Sequence, residues 1–275
     1  GRGCRVGVVD VDGDGAREAA AEVRALGREA TVHTVDVRDA DALESLAAEV
    51  VDAHGGCHVL VNNAGVTAVG LFEDETTDDL HWLVDINVWG VVNGCRAFLP
   101  VLRRADEAHI VNVSSMVALL GMAHNVSYSM TKGAVRSFSE ALRGELITTN
   151  IGVSVVFPGA IRTNITRTAR GSDAAALASK GDSRLAPLVT RPPETVARRI
   201  VGAIEHNRAR VTAGPDARVL DLFARLVPGR SGLVGRALAR TVGSTPAAYT
   251  SSAASSPAPP AADADADATA SRSTN

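Results

Sequence analysis

The chain of 275 residues is 45% hydrophobic and 21% charged, enough for one well-buried α/β domain with a tail and too little for several. A formal net charge of −3 without any basic run excludes a nucleic-acid footprint, and no window of 18 uninterrupted apolar residues marks a membrane span. Three widely spaced cysteines, Cys4, Cys57 and Cys95, fit neither a disulfide framework nor a zinc site, so the chain reads as a soluble cytoplasmic protein.

In chain order, β-branched-rich runs at residues 5–9, 30–35, 59–61, 108–113 and 151–157 predict buried strands. Between and after them, stretches of helical period occupy residues 16–26, 40–54, 79–103, 127–149 and 194–206. Such alternation predicts a doubly wound, Rossmann-type parallel sheet with crossover helices, one domain over residues 1–243. From Arg162 the periodicity fades, and residues 164–192 are expected to form a substrate lid. Residues 219–242 read as amphipathic cover for the domain or a partner subunit rather than as a membrane contact. The Ser/Ala/Pro/Asp segment 244–275 is expected to be disordered.

Tyr128 and Lys132 stand four apart at the head of a predicted helix, so both side chains share one face. Two tyrosines and two lysines in the whole chain make a chance pairing at this offset about one or two per cent. A nearby ammonium favours the phenolate and is expected to lower the Tyr128 pKa toward the useful range. Thirteen residues earlier, the run Ile110-Val-Asn-Val-Ser114-Ser115 ends a strand in hydroxyls, at the sheet edge where open α/β folds bind ligands.

At this point the chain resembles the short-chain dehydrogenase/reductase family, from about residue 5 to about residue 226. Further segments match that family in order: Asn62-Asn63-Ala64-Gly65 after the third strand, Asn87 in a helix, and Pro158-Gly159-Ala-Ile161-Arg-Thr163 after the fifth. The resemblance implies Asn87, Ser115, Tyr128 and Lys132 as catalytic residues, with Tyr128 moving the proton and Lys132 also binding the nicotinamide ribose. It implies cofactor contacts from Asp10, Asp36, Val37, Asn63, Ala64, Gly65, Pro158 and Gly159, and from the Ile161 backbone and Thr163 hydroxyl at the carboxamide. An acid at Asp10, where NADP users often carry an arginine nearby, points to NAD rather than NADP. The implied reaction interconverts a secondary alcohol and a ketone in a homodimer or homotetramer. A fold-retaining scaffold and a lyase or epimerase of the extended relatives stand as alternatives.

The family opens with a strand and a glycine-rich turn that binds the cofactor's pyrophosphate, yet Asp10 has only nine residues before it. The first strand and helix are therefore expected to be missing, which would split the sheet between the runs at 5–9 and 59–61. Gly13-Asp14-Gly15 does not replace that turn, because Asp10, Asp12 and Asp14 would repel a phosphate. The same acids imitate a calcium loop, but its closing position falls on Ala21. The seven histidines show no metal-ligand spacing and are read as structural, with His124 close enough to Tyr128 to line a pocket.

Overall fold

Strands and helices alternate as β1 (Val6–Asp10), α1 (Gly13–Ala25), β2 (Ala30–Thr34), α2 (Ala40–His54), β3 (Val59–Asn62), α3 (Thr77–Val84), α4 (Gly90–Leu102), β4 (Ala108–Val113), α5 (Val126–Glu145), β5 (Ile151–Pro158), α6 (Ala174–Gly181), α7 (Glu194–Glu205), β6 (Arg210–Ala213) and α8 (Pro215–Leu226). This computed structural model describes residues 3–162, 164–181, 190–227 and 229. The expected tail at 244–275 lies outside the described residues.

Every strand pair is parallel, as the alternation of strands with helices demands. The strands form two sheets, β1 with β2 and β3-β4-β5-β6 in that order. The break falls between β1 and β3, and apolar side chains stand exposed at both of these edges: Val9 at 36%, Val59 at 38% and Val61 at 41%. The four-stranded sheet is covered on both faces. Ile110 and Val153 pack with Leu46 and Val50 of α2, Val91 and Phe98 of α4 and Val135 of α5. Their neighbours Val111 and Val156 point the other way, against Ala203 of α7 and Val211 of β6. Alternate residues thus serve opposite layers, and burying each large side chain stabilises by roughly 1.5–3 kcal/mol.

The helix expected over 79–103 is not continuous. A π-helical stretch, Asp85–Trp89, separates α3 from α4 and carries Asn87, which is fully buried. Among the described residues no helix is long and apolar enough to cross a membrane. The Gly13-Asp14-Gly15 segment is the first turn of α1, capped by the Asp12 carboxylate, which accepts the N–H groups of Asp14 and Gly15.

Candidate active site

Helix α5 buries a stripe at four-residue spacing, Ser127, Thr131, Val135 and Ser139, and this face sets Lys132 against the end of β4. Lys132 is 3% exposed, and its Nζ donates to the Val113 carbonyl at 3.2 Å. Ser114 is buried and donates to the Lys132 carbonyl at 2.8 Å, so the first hydroxyl of the pair anchors the helix backbone. The second, Ser115, hydrogen-bonds the half-buried Tyr128 hydroxyl. The Lys132 Nζ lies 5.9 Å from the Tyr128 ring centroid.

Asn87 joins the same junction. Its amide takes both hydrogen-bonding groups of Val66, with Oδ1 accepting at 2.9 Å and Nδ2 donating at 2.9 Å, and Nδ2 also donates to the Thr131 hydroxyl at 3.1 Å. Gly65 makes this approach possible: a Cβ there would lie 3.0 Å from Lys132 Nζ and 3.2 Å from Asn87 Oδ1. The four expected catalytic residues and Gly65 are therefore one contiguous cluster at the carboxyl end of β4.

Two pKa directions follow from burial. Lys132 is pushed down to about 8, because an ammonium loses hydration there. Burial also raises Tyr128, and the Ser115 hydrogen bond, which favours the phenolate, offsets only part of this. The net direction for tyrosine is opposite to the sequence expectation. In this geometry the ammonium is directed at the Val113 carbonyl, and desolvation dominates.

Behind the site runs a polar chain that sequence reasoning missed. Asn62 and Asn112 are register partners on β3 and β4; Asn62 Nδ2 donates to Asn112 Oδ1 at 2.8 Å, and Asn112 Nδ2 donates to Ser139 of α5 at 3.0 Å. Gly94 leaves the space, since a Cβ there would stand 2.4 Å from Asn62 Oδ1. Two asparagines at corresponding strand ends were the available signal. Cys95 borders this chain, and burial pushes its thiol up to about 12, which suits a core residue.

The expected cofactor contacts that are described fall at strand ends and on the loops that follow them. Asn63 and Ala64 are exposed beside Gly65. Val37 packs on Gly90, where a Cβ would lie 2.6 Å from its Cγ2. Asp36 is held by Arg38 at 2.5 Å, and that guanidinium keeps its carboxyl below the ordinary value. A cavity of about 640 Å³ opens at this end, lined by Asp36, Arg38, Asp85, Trp89 and Asn93, and reaches none of the catalytic four. Asp10 ends β1 and accepts the Asp12 N–H at 3.0 Å, exposed to solvent and away from the buried cluster. Pro158 ends β5 beside Ala213, Gly159 follows it, and Thr163 lies outside the described residues.

His124 has a left-handed backbone at φ 62°, its carbonyl accepts the Gly70 N–H, and its ring meets Asp173 at 3.2 Å. It thus ties the loop before α5 to the start of α6, within the expected lid. No group of three metal-ligating side chains occurs among the described residues.

A family model described as short chain dehydrogenase matches residues 1–174. SadH of Mycobacterium tuberculosis, named as an oxidoreductase, is 35% identical over 228 residues, covering 81% of this chain and 82% of SadH. EphD of Mycobacterium bovis, also named as an oxidoreductase, is 34% identical over 82% of this chain, which spans only 39% of EphD. Among solved structures, a short-chain dehydrogenase/reductase from Burkholderia phymatum in complex with NAD superposes with a TM-score of 0.74 at 26% identity, covering 83% of this chain and 86% of that one. The chain belongs to the short-chain dehydrogenase family.

Proposed function

We propose that the chain is an NAD-dependent oxidoreductase that interconverts a secondary alcohol and a ketone, with Tyr128 as acid and base. The observation that carries this reading is the junction of half-buried Ser115 and Tyr128 with buried Lys132 and Asn87 at the end of β4. The names of relatives support redox chemistry at an alcohol carbon: oxidoreductase for SadH and a cyclohexadiene-diol dehydrogenase for LinX of Sphingobium indicum, 34% identical over 164 residues.

In the oxidising direction the Tyr128 oxygen takes the proton of the substrate hydroxyl while Ser115 hydrogen-bonds the same oxygen. A nicotinamide dinucleotide, when bound, supplies the hydride acceptor. With that cofactor bound, Lys132 would hold the nicotinamide ribose, and Asn87, which is fixed beside it by Val66 and Thr131, would serve the proton's exit. Because burial raises the Tyr128 pKa, the phenol is protonated near neutrality, the form that serves ketone reduction; alcohol oxidation rises with pH as phenolate appears.

The residues present fit the nicotinamide end of that cofactor. Ile161 and Arg191 form a parallel bridge in which Arg191 donates to the Ala160 carbonyl and Arg162 to the Arg191 carbonyl, each at 2.9 Å. A parallel bridge of this kind leaves the bridged residue's own N–H and C=O facing the other way, which suits a carboxamide. Asp10, an acid at the end of β1, favours a ribose with free hydroxyls over a 2′-phosphate. The break in the sheet between β1 and β3 favours a second reading, in which the chemistry is intact but dinucleotide affinity is low.

Turnover of a panel of secondary alcohols and ketones, followed by NADH absorbance, tests the first reading. Tyr128→Phe is expected to lower turnover at least about 100-fold while the fold is kept; a variant that turned over any of them near the wild-type rate would remove Tyr128 from its role. Fluorescence titration with NADH and NADPH decides the second: saturation well below about 1 mM rejects it, and tighter NADPH than NADH rejects the preference assigned to Asp10.

A further inference from the structure

The first turn of α8 contains an acid that the proposed chemistry does not use. Asp216 follows Gly214-Pro215, where it could serve its own helix N-terminus, yet its Oδ2 accepts the N–H of Ala160 at 2.8 Å, 56 residues earlier in the chain. Two glycines make room for the carboxylate. A Cβ at Gly159 would lie 2.1 Å from Oδ2, and a Cβ at Gly214, where φ is +124°, would lie 2.2 Å from Oδ1. Among the described residues the buried Oδ1 has no hydrogen-bond partner. Leaving a carboxylate oxygen so enclosed costs free energy, so the contact that holds Asp216 there has to offset it.

That contact completes a fully fastened turn. Gly159 donates to the Ala213 carbonyl at 2.9 Å, Ala160 donates to Asp216 and accepts from Arg191, and Arg162 donates to the Arg191 carbonyl. From residue 159 to 162, Ile161 alone keeps both its N–H and its C=O without a partner among the described residues. The direction of its peptide is therefore set by the neighbours on either side. On the Arg162 side the setting group is the Arg191 carbonyl; on the Ala160 side the Arg191 N–H holds the Ala160 carbonyl, and the Asp216 carboxylate holds the Ala160 N–H, the peptide before it.

We propose that Asp216 is a positioning residue for the dinucleotide: clamped between Gly159 and Gly214, its carboxylate fixes Ala160 and thereby aims the Ile161 peptide at the nicotinamide carboxamide. The inference rests on the functional reading above. It also gives the glycine after Pro158 a reason found far along the chain, because any larger residue there displaces the Asp216 carboxylate.

Two measurements separate the brace from the reading it rests on. Hydrogen exchange of the free protein follows the amides of residues 159–162, and steady-state kinetics split the effect between dinucleotide KM, substrate KM and kcat. Asp216→Ala is expected to speed exchange at Ala160, whose amide loses its acceptor, and to raise the dinucleotide KM about tenfold, the loss of one charge-assisted hydrogen bond, with substrate KM within about twofold. Asp216→Asn keeps an acceptor oxygen and should restore both, whereas Gly159→Ala should mimic Asp216→Ala. A melting temperature that falls in Asp216→Ala while the dinucleotide KM stays unchanged would reduce Asp216 to a structural cap and overturn the proposal. Unchanged exchange at 159–162 overturns the brace itself. Absence of both dinucleotide binding and turnover in the wild type instead sinks the functional reading.

Discussion

The two ends of the candidate site are built to different standards. Around β4 and α5, Lys132, Asn87, Ser114 and Asn112 are all buried and every one has a hydrogen-bond partner. Around β1, Asp10 and Asp12 are exposed and satisfy only local backbone groups, and Val9 and Val11 face solvent. The end with Lys132 and Asn87 sits in a four-stranded sheet covered on both faces; the other end sits on a two-stranded parallel sheet packed on α1, with Thr31 and His33 hydrogen-bonded to His54 and Glu49 of α2. A two-stranded parallel pair buries little apolar surface and draws little stability of its own. The residues proposed for proton transfer thus sit in the well-packed sheet, and the acid proposed to choose the cofactor sits on the more exposed pair of strands.

The contrast is broken or sharpened most directly by native-state hydrogen exchange. Amides of β1 are expected to exchange at least about 1,000-fold faster than those of β4 and β5, because the β1–β2 pair can open without disturbing the main core. Equal protection in the two sheets would mean that they unfold as one unit, and the comparison would lose its energetic content.

The well-packed end carries a cost of its own, readable through Lys132. Its folded pKa of about 8 lies below the ordinary 10.5, so between these values the unfolded chain binds more protons and stability rises with pH. Below pH 8 the full penalty applies, about 3 kcal/mol from the shift. Lys132→Met should therefore be inactive yet more stable than the wild type at pH 7, with the gain fading by pH 10.5. Denaturant melts at the two pH values check this. A variant destabilised equally at both would show that the Val113 hydrogen bond outweighs the buried charge.

Legibility in the sequence did not follow this division, since β1 and β2 also lie within one residue of the expected runs. The bounds of α2 and β4 coincide with the expected ones, and those of β3 and α5 come close, because apolar period and burial agree there. Ser115, Tyr128, Lys132 and Asn87 were readable as a spaced set, and the structure gathers them into one cluster. What escaped was non-local or too short for a period. β6 has four residues and gains its place from non-local contacts, by pairing with β5 and packing Val211 against Ala203. The π stretch around Asn87 interrupts a continuous helical pattern and leaves no mark in composition. The direction of the Tyr128 shift could not be read either, since spacing places an ammonium nearby but does not weigh it against desolvation.

The smallest expected effect tests the weak end on its own terms. Asp12 caps α1 through the N–H groups of Asp14 and Gly15, and Ala16 and Ala20 are the residues this helix buries. Removing the cap should cost about 1 kcal/mol, the usual value for an exposed Asp at this position. If β1, α1 and β2 open as a separate unit, Asp12→Ala will speed exchange in those elements and leave β4 and β5 untouched, since the penalty falls on an opening that does not involve them. If the penalty instead appears uniformly across both sheets, the chain unfolds only globally, and the exposed edges of β1 and β3 are features of a single cooperative structure.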